Sequence, residues 1–422
     1  MSKRNENRPG YRKTEVGWIP EGWEILPFSE CCNIGQGQVD PTDSKYQNLP
    51  HIGPENIESN SGRILGVKTA IELGLISGKY LFDRRAIVYS KIRPNLNKLC
   101  APWFEGLCSA DCYPLWPKNE NLKEYIFQFM LSPQFLKQSI PVSLRTGMPK
   151  INREDLSLLR VTLPPIPEQK KIAEILSTWD EAIDQTRKLI EAKKRRKKAL
   201  MQQLLTGKRR LPGFGKTTQQ KTYRFFSTPE GWRCPRLREV ATECSERNSN
   251  GDGLTVFACS KHLGFVPSAE YFGKQIFSED TSSYKVIRRG WFGYPSNHVE
   301  EGSIGLLLTH DAGLVSPIYT VFRCAESIVP EYLYAVFKTD TFRHIFAVST
   351  NVSVDRRGSL RWKEFSLIHI PQPSKEEQYA IVSVLKAADI EIKILEQKLS
   401  AFEKQKRGLM QKLLTGEVRV RI

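Results

Sequence analysis

The stretch Pro167 to Gly207, PEQKKIAEILSTWDEAIDQTRKLIEAKKRRKKALMQQLLTG, reads as one long helix, and it occurs twice. The second copy, Ser374 to Gly416, is SKEEQYAIVSVLKAADIEIKILEQKLSAFEKQKRGLMQKLLTG. With Glu168-Gln169 set on Glu377-Gln378 the offset is 209 residues, and no gap is needed as far as Gly207 on Gly416. Asp180 then meets Asp389, and Ile183 meets Ile392. The same offset carries Pro20-Glu21-Gly22-Trp23 onto Pro229-Glu230-Gly231-Trp232, so half of the chain is duplicated.

Each copy carries its own start and stop signals. Pro167 suits a first helical turn, and Ser374 with Glu377 has the spacing of a capping box. Gly207 and Gly416 stand where a left-handed residue ends a helix. Between them runs a heptad seam in the same register in both copies. Its members are Ile172, Leu176, Trp179, Ile183, Ile190 and Leu204 in the first copy, and Ile381, Leu385, Ile392, Leu395, Leu399 and Leu413 in the second. At 1.5 Å per residue each helix spans about 60 Å. A two-faced helix of that length needs a partner, and its own copy matches it in length and register. The expectation is that the two helices pair with each other within the chain.

Lys and Arg exceed Asp and Glu by 17 (63 against 46), which suits a polyanionic partner. The nine cysteines form no CxxC pair, and Cys108 and Cys112 have no histidine nearby in sequence. Such a pattern predicts reduced thiols, no metal site and a cytoplasmic setting. No apolar run approaches the roughly 18 residues of a membrane span, and MSKRNENRPGYRK at the start has no hydrophobic signal core.

From Trp23 to Leu163 the text turns to short β-like pieces broken by Gly, Pro and Asn, with a helical patch, LKEYIFQFMLSPQFLKQSI, near the end. Leu163-Pro164-Pro165-Ile166-Pro167 leads stiffly into the helix. After Gly207, KRRLPGFGKTTQQKT reads as a linker, and residues 225–370 repeat the plan in different words. The fold class expected is α+β: a first domain over 1–163, a helix over 164–207, a linker over 208–224, a second domain over 225–370, a helix over 371–416 and a tail over 417–422.

In this order of parts the chain resembles the DNA specificity subunit of type I restriction-modification systems, over nearly its full length. The resemblance is carried by LPPIPEQKKIAEIL (Leu163 to Leu176), the weaker HIPQPSKEEQYAIVSVL (His369 to Leu385), the paired LMQxLLTG ends and the two PEGW segments. It implies two target-recognition domains, each reading one half of a split double-stranded DNA site, held apart by the two helices as an antiparallel intramolecular coiled coil. It also implies two methyltransferase subunits and restriction/translocase subunits as partners. S-adenosylmethionine, ATP and magnesium would then sit on those partners, with none on this chain.

The same resemblance nominates DNA-contacting loops. In the first domain SKIRPNLNK (Ser90 to Lys98) offers Lys91, Arg93, Asn97 and Lys98, and SLRTGMPKIN (Ser143 to Asn152) offers Arg145, Thr146 and Lys150. In the second, WFGYPSNHVEEG (Trp291 to Gly302) and STNVSVDRRGSLRW (Ser349 to Trp362) offer Tyr294, Asn297, His298, Arg356 and Arg357. Arg187 to Lys198, with eight positive charges and one negative, is either a solvated helix face, a stripe against phosphates or a surface for an acidic partner.

Catalytic signatures are missing. LPGFGKTT (Leu211 to Thr218) ends like a phosphate-binding loop, but Arg210 stands where its first glycine is needed and no strand precedes it. No Asn/Asp-Pro-Pro-aromatic stretch of amino-methyltransferases is found, and the six histidines are scattered. The reading is a non-catalytic DNA-binding subunit. Its rivals are a coiled-coil scaffold without sequence reading and a self-sufficient DNA-modifying enzyme.

Overall fold

The computed structural model describes residues 5–118, 122–144, 149–217, 219–251, 253–261, 263–274, 277–297, 299–350 and 359–422. The chain divides into two compact units, Met1–Lys188 with Gln397–Ile422, and Leu189–Glu396. The divisions fall inside the two long helices, Ile166–Leu204 and Lys375–Leu413, so each unit owns a part of both.

The first unit is built on a four-stranded sheet in the order Cys32–Ile34, Cys112–Pro117, Ile87–Ser90, Leu99–Cys100. In the second, Ala241–Cys244, Tyr319–Cys324, Phe292–Pro295 and Gly305–Leu306 stand in the same order. The registers agree too: Leu115 faces Ile87 and Cys112 faces Ser90, as Phe322 faces Phe292 and Tyr319 faces Pro295. Central strands of this kind are apolar on both faces because helices or a second layer cover them; all four residues of Ile87–Ser90 and of Phe292–Pro295 are buried. A helix pair follows in each unit, Lys123–Leu131 with Pro133–Ser143, and Pro330–Phe337 with Asp340–Ser349. The second helix of each pair starts the same way, with the Ser132 or Thr339 hydroxyl accepting from Phe135 N or Phe342 N.

The long helices run antiparallel within each unit. In the first, Trp179 meets the Phe402 ring edge-on at 5.6 Å, Lys406 binds Asp180 at 2.6 Å, and Arg187 binds Glu403 at 2.7 Å. In the second, Lys197 binds Asp389 at 2.5 Å and Lys194 binds Glu396 at 2.9 Å. These are the same pairs displaced by 209: Asp180 becomes Asp389, Lys406 becomes Lys197, Arg187 becomes Glu396 and Glu403 becomes Lys194. In the last pair the signs are exchanged between equivalent positions, so the first long helix carries the cation in both units.

The predicted seam is buried at Ile172, Leu176, Ile183, Ile190, Leu204, Ile381, Leu385, Ile392 and Leu413, and half-buried at Trp179, Leu395 and Leu399. It is less uniform than a heptad suggests. Ile172, Leu176 and Leu413 join the first unit's core around Trp23, Tyr125 and Phe129, and Leu204, Ile381 and Leu385 join the second's around Trp232 and Tyr332. The helix ends are thus part of the globular cores.

What locks them there is the repeated text. Glu168, with a fully buried carboxylate, accepts from Trp23 Nε1 at 3.0 Å and from Arg419 at 2.6 and 2.8 Å. Glu377 does the same with Trp232 at 3.1 Å and Arg210 at 2.9 and 2.6 Å. Beside them Gly207 and Gly416 adopt φ of 67° and 68°. A Cβ on Gly207 would come within 2.3 Å of Pro229, and one on Gly416 within 2.5 Å of Pro20, so these glycines both end a helix and admit the PEGW turn. The capping box expected at Ser374 is half formed. Its hydroxyl accepts from Glu377 N at 3.3 Å, but the Glu377 carboxylate turns away to Arg210 and Trp232. Arg210 and Arg419, read from sequence as linker and tail, are fixed parts of these joints.

Candidate nucleic-acid interface

In the first unit two nominated loops, some 50 residues apart in sequence, come together. Ile92 forms an isolated β-bridge with Lys150, Ile151 N donates to Lys91 O at 2.9 Å, and Arg93 N donates to Pro149 O at 2.8 Å. Arg93 holds φ of 48° immediately before Pro94, a conformation that both its Cβ and the following proline disfavour. Strain of this kind persists where the surroundings impose it, and here it presents an exposed guanidinium. Lys150 is also exposed, and Lys91 is half-buried with Nζ 5.1 Å from the Tyr113 ring centre.

Sequence reasoning missed Arg153, the residue just beyond the second loop. Its guanidinium lies 4.7 Å from the same Tyr113 ring and 5.5 Å from that of Tyr80. Its Nη2 donates to Gly35 O at 2.8 Å and to the Tyr80 hydroxyl at 2.9 Å. Burial, and then the charge of Lys150, hold the Lys91 ammonium below its ordinary pKa, with Arg153 adding to the effect. Burial raises the Tyr113 phenol, although Arg153 works the other way. Position alone could have flagged Arg153; the two tyrosines that hold it come from other strands, and no local pattern announces them.

Several nominated residues are placed otherwise. Asn97 is fully buried, with φ of 43°, at the end of the single turn Pro94–Leu96. The turn folds its amide inward, so it is not a surface contact. Lys98 gives its ammonium to Pro54 O at 2.6 Å, which ties the loop to the neighbouring layer. Tyr294 is fully buried on its strand, 4.6 Å from the Phe365 ring, and burial drives its phenol pKa far up. The expectation that Asn97 and Tyr294 offer side chains to DNA is corrected by that burial. Arg145, Thr146, His298, Arg356 and Arg357 lie outside the described residues. Asn297 is half-buried in the turn after Phe292–Pro295. There Leu360 N donates to Ser296 O at 2.8 Å, the counterpart of the Ile151 to Lys91 bond, so the second unit joins its two loops in the same way.

In the basic run Arg187 to Lys198 six of the eight cations form ion pairs within the chain. Arg187 is held by Glu58 and Glu403, Lys188 by Asp184, Lys193 by Glu391, Lys194 by Glu396, Lys197 by Asp389 and Lys198 by Asp340. The alternating charges of the second helix supply four of these partners. Among the described residues no group of three or more His, Cys, Asp or Glu side chains is placed to hold a metal ion, and no helix is long and apolar enough to cross a membrane.

The family described as the type I restriction modification DNA specificity domain matches residues 20–194. The chain is 38% identical over 162 residues to the type I restriction enzyme EcoDI specificity subunit of Escherichia coli, an alignment spanning 38% of this chain and 36% of that one. To the type I restriction enzyme MjaVIII specificity subunit of Methanocaldococcus jannaschii it is 25% identical over 445 residues, 96% of this chain and 94% of that one. Among solved structures, a chain from a study of complex assembly and conformational transition of the type I R-M system superposes with a TM-score of 0.59 at 20% identity, covering 95% of this chain and 99% of that one. At that identity the likeness is one of fold.

Proposed function

We propose, for a chain that belongs to the family of type I restriction-modification DNA specificity subunits, that each unit reads one half of a bipartite double-stranded DNA site. The helix pair sets the number of unread base pairs between the halves. The observation that carries this reading is the duplication itself: identical joints support sheets whose joined loops carry different side chains. Two scaffolds alike in build and unlike in surface suit two unlike half-sites, because base edges specify while phosphate contacts position.

The chain supplies recognition and the chemistry belongs to its partners. Two methyltransferase subunits dock on it, and restriction/translocase subunits join those, with S-adenosylmethionine, ATP and magnesium bound there. The test is methylation mapping of a plasmid after expressing this chain with its methyltransferase subunit. A split, asymmetric motif modified in both halves is expected. An assembled complex that modifies no motif refutes the reading, and methyl transfer by the purified chain alone refutes the division of labour.

A further inference from the structure

We infer that Lys91 and Arg153, both against the Tyr113 ring, and Lys150 beside them form a phosphate-binding site of the first unit that grips the DNA backbone and leaves base reading to other side chains. The inference rests on the DNA-reading role above and adds the chemistry of one contact. Lys91 Nζ and the Arg153 guanidinium lie 5.1 and 4.7 Å from the centre of one phenol ring, and the bridge from Ile92 to Lys150 brings the third cation beside them. Against the three cations, the one carboxylate that acts on Lys91 is Asp111. Like charges held this close are unfavourable unless an anion joins them.

The fold does not need these charges. Matching registers and the matching loop bond put Ser296 where the first unit has Lys91, Thr320 in place of Tyr113, and Trp362 in place of Arg153. Trp362 packs 5.3 Å from Phe322, and the same loop junction forms there without a cation at either position. A structural duty would have to be met in both units; a ligand-binding duty would not.

Phosphate fits better than a base edge. Reading guanine needs a free planar fork of two N–H groups. In Arg153 one Nη is already shared between Gly35 O and the Tyr80 hydroxyl, while its buried Nε has no protein acceptor. What remains is a fixed positive charge. Lys91 and Lys150 are point charges that suit phosphate oxygens in any orientation.

The experiment measures binding of the full chain to a labelled random-sequence DNA duplex across a salt series, for the unaltered protein, Lys91→Gln and Lys150→Gln. Lys150 is exposed, so its variant folds even if Lys91→Gln does not. Each lost phosphate contact should lower the slope of log affinity against log salt by about 0.9. Between about 50 and about 200 mM salt the affinity loss then becomes about 3.5-fold smaller per contact. The weakening should be equal for every duplex sequence. A folded Lys150→Gln protein with an unchanged slope overturns the phosphate site while leaving DNA reading intact. A change in base preference with an unchanged slope overturns it in favour of base readout. An unaltered chain that binds no duplex at any salt concentration overturns both this site and the role it rests on.

Discussion

Glu168 in the first unit and Glu377 in the second keep the same company, an indole N–H and an arginine whose numbers also differ by 209. Around Tyr113 and its counterpart Thr320 the backbone matches and the side chains do not: a ring flanked by cations in one unit, a tryptophan on a phenylalanine in the other. The contrast separates two kinds of sequence in one chain. Text that repeats encodes the joint between domain and helix, where a buried carboxylate tolerates few partners. Text that diverges covers the loops and reaches into the strands beneath them, down to the buried pair Tyr113 and Thr320. The widest test of that division is an exchange of residues 20–163 for another recognition domain. One half-site should change entirely and the other not at all, as read by methylation mapping; changes in both halves would break the comparison at its root.

The joints offer the next largest effect. Arg210 is 19% exposed at its side chain and Arg419 is 43% exposed, while their carboxylate partners are almost fully buried. Arg210→Met strands a carboxylate in the core and should cost about 3 kcal/mol. Arg419→Met should cost less, about 1–2 kcal/mol, because water can reach its site more easily. Calorimetric melting of each variant measures the pair. Equal losses would mean that exposure does not decide the energy of these joints.

These joints also mark how far the sequence could be read. Helix length, the shared apolar register and the glycine stops were legible because periodicity and caps are local signals, and the duplication doubled them. The PEGW segments were visible as repeats, but their purpose was not. Trp23 and Glu168 stand 145 residues apart, and only the fold makes them neighbours. Arg210 and Arg419 each follow the LLTG glycine by three residues, a regularity hidden among other basic residues. In the loops, residue type suggested contacts that burial then reassigned: Asn97 closes a turn, and Tyr294 fills the core. Arg153 became a candidate only through the rings that hold it.

Along the helices the comparison can be sharpened to tenths of a kilocalorie. Asp180–Lys406 and Asp389–Lys197 are one ion pair placed twice, but their settings differ. In the first unit the Lys406 side chain is 9% exposed, and the second oxygen of Asp180 accepts from Gln128 Nε2 at 2.8 Å. In the second unit the side chains are 27% and 58% exposed, so water and salt screen the pair. A double-mutant cycle with Asp→Asn and Lys→Met at each site, followed by urea unfolding, should give a coupling of about 1.5 kcal/mol for Asp180–Lys406. For Asp389–Lys197 it should give about 0.5 kcal/mol or less. Raising the salt concentration should erase the second coupling first. If the two couplings are equal, the shared register alone sets their strength. If they differ as expected, the duplication fixes where the pair forms and each unit's own packing fixes how much it contributes.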